Sequence, residues 1–262
     1  MRQLISNGCR RLQDKVVVIT GGGTGIGEAS AVACVEEGAS VVVVGRRSNV
    51  LDQVVQTIEQ SGGVAKAVCA DVGREEDAAR IVDSAIGWFG HIDVLVNCAG
   101  QELVANALDT SVEWWDRVMA TNLRGVYLVS RAALPVMLSR KSGVIVNVAS
   151  QLAFVGARNF VAYTASKGAV INLTRSMALD HAADGVRVNA LCPGAVDTPL
   201  LRRQFDGREG PQGTLEDLAA LHPLGRLGRP EEIARATVFL ASDDSSFMTG
   251  AMLLVDGGYT AQ

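Results

Sequence analysis

The sequence predicts an α/β fold in which one parallel sheet of seven strands is doubly wound, with helices on both of its faces. Seven short apolar runs recur along the chain, and helical segments separate the first six. The runs are continuously apolar, which is typical of strands covered on both faces. No repeat or Gly/Ser- or Pro-rich linker divides the chain, which favours one domain, 1–262, over two smaller ones. The predicted strands are Val16–Ile19, Val41–Val44, Ala65–Ala70, Val94–Val96, Val144–Val148, Val186–Leu191 and Met252–Val255.

Composition excludes several classes of protein. Hydrophobic residues make up 48% and charged residues 20% of the chain, which excludes a disordered protein. A net charge of −4 gives no reason to expect nucleic acid as a partner, and the apolar runs are too short for a membrane span. Residues 1–13 have neither an apolar core nor a cleavage signal, so we predict a tail on a cytoplasmic protein. Five single cysteines indicate reduced thiols, and three dispersed histidines predict no metal site.

The first strand leads into a glycine-rich turn, T-G-G-G-T-G-I-G at residues 20–27, and then into a predicted helix, Glu28–Glu37. Glycines let the backbone approach a phosphate closely, and a helix N-terminus attracts an anion. The pattern therefore predicts a Rossmann-like site for a dinucleotide pyrophosphate, with a plain tight turn as the alternative. The spacing differs from G-x-G-x-x-G, and Glu28 stands where a P-loop requires lysine.

The second strand ends in Gly45-Arg46-Arg47, where a dinucleotide fold meets the adenosine ribose. An acidic residue there would favour NAD, whereas Arg46 can hold a 2′-phosphate, which favours NADP. Solvated arginines at a helix start are the alternative, and Thr24 weakens the case because a basic residue in the turn would help to hold the phosphate.

Two further strand ends carry candidate contacts. Asp71, after the third strand, could accept a hydrogen bond from an adenine amino group or could cap the next helix. Asn97-Cys98-Ala99-Gly100 follows the fourth strand, and these small residues leave room for a cofactor at the ligand edge of the sheet.

The fifth strand ends at Ser150, and a predicted helix carries Tyr163 and Lys167. A spacing of four places these two on one helix face. A free phenol has a pKa of about 10 and is therefore a poor base at neutral pH. A neighbouring ammonium would lower this pKa toward neutrality and make Tyr163 an acid/base group. The alternative is a packed tyrosine beside a solvated lysine.

Taken together, these motifs resemble the short-chain dehydrogenase/reductase family over about residues 15–260. The resemblance rests on the order and spacing of T-G-G-G-T-G-I-G, N-C-A-G, N-L-R-G at 122–125, Ser150, Y-T-A-S-K at 163–167 and P-G-A-V-D-T at 193–198. The chain has N-C-A-G where the family usually has N-N-A-G, so a side-chain contact of the second asparagine would be missing.

The family resemblance implies a catalytic set of Asn122, Ser150, Tyr163 and Lys167. It makes Tyr163 the acid/base and Ser150 the group that polarises the carbonyl. It makes Lys167 the holder of the nicotinamide ribose, and Asn122, in a long helix Val112–Leu138, the support of a water relay. The residues predicted to contact the cofactor are Gly21, Gly23, Thr24, Gly25, Ile26, Gly27, Arg46, Arg47, Asp71, Val72, Asn97, Ala99, Gly100, Tyr163, Lys167, Pro193, Gly194, Val196 and Thr198.

The expected activity is hydride transfer between NADP, or alternatively NAD, and a secondary alcohol or ketone of moderate size. The alternatives are an NAD-dependent dehydrogenase of a polyol, sugar or steroid, and a non-catalytic dinucleotide sensor. The resemblance also implies a homotetramer or homodimer that associates through helices 112–138 and 160–182 and through segment 248–259. An irregular stretch, 198–227, is predicted to be a substrate loop. The candidate pocket walls are Gln101, Gln151, Leu152, Phe154, Asn159, Leu200, Leu201 and Phe205, with Arg202 and Arg203 nearby.

Overall fold

The computed structural model describes residues 10–205 and 213–262. Its strands form one fully parallel sheet, and every strand contains a run predicted from the sequence to within one or two residues. The strands are β1 (Val16–Thr20), β2 (Ser40–Gly45), β3 (Val64–Cys69), β4 (Val94–Asn97), β5 (Gly143–Val148), β6 (Val186–Pro193) and β7 (Met252–Val255). Their order is β3-β2-β1-β4-β5-β6-β7, so the chain winds outward from β1 in one direction and from β4 in the other. This confirms the predicted doubly wound, Rossmann-like fold.

Helices cover the sheet and connect most of its strands. They are α1 (Gly25–Glu36), α2 (Ser48–Gln60), α3 (Glu75–Phe89), α4 (Val112–Met119), α5 (Gly125–Arg140), α6 (Val161–His181), α7 (Pro199–Phe205), α8 (Leu215–Ala220) and α9 (Pro230–Ala241). The first helix begins at Gly25, three residues earlier than predicted, so the glycine-rich turn is shorter than the sequence pattern suggested.

The core consists of two apolar layers, one on each face of the sheet. In β1, Val17 and Ile19 pack with α1, α2 and α9, whereas Val18 packs with α3, α5 and α6. Successive side chains of a strand point to opposite faces, and here both faces are buried. This is why the strands read as continuous apolar runs.

The helix predicted over Val112–Leu138 is interrupted. A π-helical segment, Ala120–Arg124, separates α4 from α5, and Asn122 lies at its centre. The wider turn lets the Asn122 side chain bond outside the helix, as described below. Such π segments occur frequently at functional sites.

Part of the predicted N-terminal tail belongs to the folded body. Leu12 is fully buried in the layer formed with α1, and its N–H donates to the carbonyl of Glu37. The side chain of Arg11 pairs with the Glu37 carboxylate. The prediction of a plain tail is therefore wrong for residues 10–13, and residues 1–9 lie outside the described residues.

Within the ranges 10–205 and 213–262, no helix combines the length and the apolar character needed to cross a bilayer.

Candidate active site

A cavity of about 1500 Å³ opens at the carboxyl ends of the strands, where the strand order reverses between β1 and β4. Ligand sites typically measure about 300–1,000 Å³, so this cavity has room for a dinucleotide together with a substrate. The predicted site residues line it with three exceptions, which are Asn97, Asn122 and Phe154. Open α/β sheets bind ligands at this reversal point.

The glycine-rich turn forms one wall of the cavity. Gly21 has a φ of +68°, and a Cβ at this position would lie 2.8 Å from the backbone of Ala99. The N-cap of α1, Thr24, makes no side-chain capping bond, and Gly25 and Ile26 of the first helical turn line the cavity. The first N–H groups of α1 are therefore available to an anion.

Gly45, Arg46 and Arg47 lie at the end of the cavity next to β2. Both arginine side chains are exposed, and neither forms a hydrogen bond or ion pair within the described parts of the chain. Gly45 leaves no acidic side chain at this position. The two guanidinium groups can therefore turn toward a phosphate without breaking an existing bond.

Asp71 lines the cavity after β3, next to Val72. The N-cap of α3 is Arg74, so the alternative that Asp71 caps this helix is wrong. Instead, its Oδ1 accepts a hydrogen bond from the N–H of Gly73 at 2.9 Å. This bond fixes the carboxylate at the cavity edge.

Asn97 does not contact the cavity. Its Nδ2 donates to Ser130 Oγ at 3.0 Å and to Asn147 Oδ1 at 2.9 Å, and Asn147 donates in turn to Thr174. These side chains are buried between β4, β5, α5 and α6. We therefore reassign the Asn97 side chain from cofactor binding to the structural support of the sheet.

Cys98, which replaces the usual family asparagine, lines the cavity. Its N–H and that of Ala99 both donate to Thr20 Oγ1, at 3.1 and 3.2 Å, which holds this loop against the end of β1. Burial raises the pKa of the Cys98 thiol to about 11, and the nearby Lys167 lowers it only partly. The thiol is therefore neutral at physiological pH.

Ser150, Tyr163 and Lys167 converge on the same cavity. Ser150 follows β5, and its Oγ accepts a hydrogen bond from the N–H of Leu152 at 3.1 Å. Tyr163 and Lys167 share one face of α6, with Lys167 Nζ 5.6 Å from the centre of the Tyr163 ring. Lys167 is buried, and its Nζ donates to the carbonyl of Val148 at 2.8 Å. The alternative of a solvated lysine is therefore wrong.

The pKa of the Tyr163 phenol is strongly raised, contrary to the expectation that Lys167 brings it toward neutrality. Burial is the largest cause, and the negative charge of Glu102 raises the pKa further. A hydrogen bond with Ser150 lowers it in part. Burial also lowers the pKa of Lys167. At neutral pH the phenol is protonated and can donate its proton.

Asn122 acts through the backbone of the loop after β4. Its Oδ1 accepts from the N–H of Gln101 at 2.7 Å, and its Nδ2 donates to the carbonyl of Gln101 at 2.8 Å. The same Nδ2 donates to Ser166 Oγ at 3.0 Å. Asn122 is fully buried and thus ties this loop to α6, one residue before Lys167.

The loop after β6 lines the cavity with Pro193, Gly194, Val196 and Thr198. A Cβ on Gly194 would lie 2.8 Å from the Cα of Asp256, so glycine is required for this close approach to the end of β7. Because a Cβ on Gly25 would lie 3.0 Å from Thr198 Cγ2, this loop also touches the glycine-rich turn.

A histidine that the sequence analysis set aside fixes this loop. His222 is buried, and its Nε2 accepts from the N–H of Ala195 at 3.2 Å. Its Nδ1 lies 3.0 Å from the carbonyl of Leu218, to which it donates in the tautomer that the first bond requires. Its ring also contacts that of Tyr259. Only the folded structure brings these partners together, so no sequence pattern marked His222.

The substrate side of the cavity mixes apolar and polar walls. Gln101 donates its side-chain amide to Thr121 Oγ1, whereas Oε1 of Gln151 is buried with no hydrogen-bond donor among the described residues. Phe154 is exposed outside the cavity, which corrects its assignment as a wall. Arg202 pairs with Asp197, whereas Arg203 lines the cavity. The predicted walls that do line it are Gln101, Gln151, Leu152, Asn159, Leu200, Leu201 and Phe205.

Several cavity residues were not predicted from the sequence. Glu102 belongs to no regular element, and Leu218, Leu221 and Tyr259 come from α8, the residue after it and the C-terminal segment. None carries a spacing signal, because the folded chain alone brings them to the cavity. Residues 206–212 of the predicted substrate loop lie outside the described residues.

No group of three or more His, Cys, Asp or Glu side chains is placed to hold a metal ion among residues 10–205 and 213–262.

The arrangement of the cavity residues agrees with the proteins that this chain resembles in sequence. A family model described as enoyl-(acyl carrier protein) reductase matches residues 21–260. The 2-(S)-hydroxypropyl-CoM dehydrogenase 3 of Xanthobacter autotrophicus is 42% identical over 96% of this chain and 98% of its own. The cis-4-hydroxycyclohexanecarboxylate dehydrogenase of Sinomonas cyclohexanicum is 45% identical over 95% and 97% of the two chains.

Solved structures agree with the sequence relatives. A crystal structure of a short-chain type dehydrogenase/reductase from Mycobacterium marinum superposes with a TM-score of 0.91 at 36% identity and covers 97% of this chain and 98% of that one. The chain therefore belongs to the short-chain dehydrogenase/reductase family, and it is an oxidoreductase that acts on CH–OH or C=O groups with a nicotinamide cofactor.

Proposed function

We propose that this enzyme interconverts a secondary alcohol and a ketone with NADP(H), and that Tyr163 exchanges the proton of the reacting oxygen. The observation that carries the proposal is the convergence of Tyr163, Ser150 and Lys167 on one cavity with the uncapped N-terminus of α1. A phenol and a serine hydroxyl in one cavity, beside a buried ammonium, are suited to proton transfer at an oxygen atom.

The cavity fits a nicotinamide dinucleotide. The pyrophosphate would bind at Gly21, Gly25 and the first turn of α1. The backbone lines the cavity there, and no side chain caps the first N–H groups of the helix. A Cβ on Gly100 would lie 3.8 Å from Lys167 Nζ, so this glycine keeps space beside the lysine for the nicotinamide ribose. Asp71 would face the adenine. When bound, the nicotinamide supplies or accepts the hydride at the carbinol carbon.

The residues of this chain then have defined roles. Ser150 and Tyr163 would hold the substrate oxygen between their hydroxyl groups. Because its pKa is raised, Tyr163 is protonated at neutral pH and is suited to donate a proton to a ketone oxygen, which favours carbonyl reduction. Asn122 would act as a positioning residue, since it holds the loop that carries Gln101. We further propose that stretch 198–227 walls the substrate, because α7 and α8 both contribute to the cavity.

A panel of ketones and secondary alcohols tests the proposed activity. We expect turnover of at least one compound, faster with NADP(H) than with NAD(H), followed by the near-ultraviolet absorbance of the reduced nicotinamide. Faster turnover with NAD(H) would instead support an NAD-dependent dehydrogenase of a polyol, sugar or steroid. If no member reacts with either cofactor, the proposed activity is wrong.

Replacing Arg46 with alanine tests the choice of cofactor. Charge-assisted hydrogen bonds contribute about 1.5–3 kcal/mol, so we expect the Kd for NADPH to rise roughly tenfold or more while that for NADH changes little. Fluorescence titration of both reduced cofactors measures this. Arg47→Ala shows which of the two guanidinium groups holds the phosphate, and Arg80→Ala, which removes an exposed arginine of α3, is the control. Equal losses for the two cofactors would contradict the assignment.

We also propose that copies of this chain associate as a homotetramer or homodimer. Exposed apolar side chains on the helices assigned to the interface support this, namely Trp114 on α4, Tyr127 on α5 and Leu179 on α6. Leu254 within segment 248–259, and Phe247 directly before it, are exposed apolar side chains as well. The single, unpaired cysteines among the described residues fit our further proposal of a cytoplasmic location.

A further inference from the structure

The loop after β4 is held rigidly, although it has no regular secondary structure. Asn122 binds both the N–H and the carbonyl of Gln101, at 2.7 and 2.8 Å. The Gln101 side chain donates to Thr121 Oγ1 at 2.7 Å as well. Glu102 follows directly and lines the cavity. Its position is therefore fixed by the same buried asparagine that lies next to the catalytic helix.

The carboxyl group of Glu102 has no hydrogen-bond donor of its own. It is partly buried in the cavity wall, and within residues 10–205 and 213–262 it accepts no hydrogen bond and forms no ion pair. The charged and titratable groups that act on it at longer range are Lys167 of α6, Arg203 of α7 and the phenol of Tyr163. Burial raises the pKa of Glu102 to about 7, although both cations lower it. A desolvated carboxyl without a donor is costly unless a ligand supplies one.

Two other side chains of the cavity also have a polar atom without a partner among the described residues. These atoms are Oε1 of Gln151 and Nε2 of Gln204. The cavity thus offers hydrogen-bonding capacity beyond the Ser150 and Tyr163 hydroxyls. A simple alcohol, whose only polar group is held by those two residues, would leave this capacity unused.

We propose that Glu102 is a specificity-determining residue. Its carboxyl accepts a hydrogen bond from a second hydroxyl next to the reacting carbinol. The enzyme therefore prefers vicinal diols to simple alcohols. The inference rests on the proposed function, because it takes the carbinol oxygen to lie between Ser150 and Tyr163. Glu102 lines the same cavity as Ser150 and Tyr163. With the carbinol oxygen held by these two hydroxyls, a carboxyl of the same cavity that lacks a donor can accept from a second substrate hydroxyl.

Paired substrates test this inference. meso-2,3-Butanediol and 2-butanol share a carbon skeleton and differ in one hydroxyl. We expect kcat/KM to favour the diol, and Glu102→Gln to reduce that preference about 10- to 100-fold by weakening the diol reaction. Glu102→Leu should act in the same direction. A ratio of two substrates on one preparation does not depend on the folded fraction, so a merely structural role would leave it unchanged.

A binding measurement separates this inference from the proposed function. In a Tyr163→Phe background, the Kd of each alcohol for the cofactor-bound enzyme is measured by fluorescence of the reduced nicotinamide. If the wild type turns over neither alcohol, but in the Tyr163→Phe background the diol binds more tightly and loses this advantage with Glu102→Gln, the proposed reaction fails and the inference stands.

Asp83→Asn is the control, because it removes an exposed carboxylate of α3 that does not line the cavity. Its preference for the diol should equal that of the wild type. No preference for the diol in the wild type, or a preference that survives Glu102→Gln, would overturn the inference.

Discussion

Replacing Tyr163 with phenylalanine is expected to lower kcat by about 10²–10⁴-fold, the usual contribution of general acid–base catalysis. The variant keeps the aromatic ring, which makes an edge contact with Phe160 at 6.3 Å between ring centres, and removes only the hydroxyl. Because the pyrophosphate and adenosine parts of the cavity do not involve this hydroxyl, cofactor affinity should stay nearly unchanged. Single-turnover kinetics and cofactor titration measure the two quantities separately.

Tyr127→Phe is the matched control, since Tyr127 is half-exposed on α5 and does not line the cavity. It should retain full turnover. If Tyr163→Phe kept most of its activity, another group would have to supply the proton, and Glu102, with its pKa of about 7, would be the first to examine.

The fold could be predicted because the apolar pattern of each strand agrees with its position in the sheet. Strands such as β1 are buried on both faces, so their apolar character is visible in the sequence without any knowledge of the neighbours. The break at Asn122 could not be predicted. It depends on bonds to Gln101 and Ser166, which are distant in sequence, while the local residues are compatible with an uninterrupted helix.

The candidate site shows the same division. The glycines were found because a close approach of the backbone to a phosphate requires them. Ser150, Tyr163 and Lys167 were found because the order and spacing of their motifs resemble those of the family. The pKa of Tyr163 was predicted in the wrong direction, because the sequence shows the neighbouring lysine but neither the burial of the phenol nor Glu102, which both raise this pKa. Glu102 was missed for a similar reason, since only the folded loop shows that this residue lines the cavity.

Replacing Gly27 with alanine should damage both the fold and the cofactor site. A Cβ at Gly27 would overlap the carbonyl oxygen of Gly21 and lie 2.7 Å from its carbonyl carbon. These are backbone atoms, so no side-chain rotation relieves the overlap, and the turn has to move away from α1. Overpacking of this kind costs about 1–3 kcal/mol in the free energy of unfolding. Because a displacement of about 1 Å can reduce turnover by roughly 10²-fold, we expect a comparable loss of activity. Urea unfolding and steady-state kinetics measure the two effects.

Gly87→Ala makes the same chemical change as Gly27→Ala, and we expect the opposite effect on stability. Gly87 lies within α3, and a Cβ there would meet no atom within 4 Å. Alanine is the better helix former by about 0.5–1 kcal/mol, so this variant should be more stable than the wild type and fully active. If Gly27→Ala kept wild-type stability and cofactor affinity, the close packing of the turn against α1 would not be needed to form the nucleotide site. The pair therefore tests whether space at Gly27, rather than a general intolerance of alanine for glycine, holds the glycine-rich turn in place.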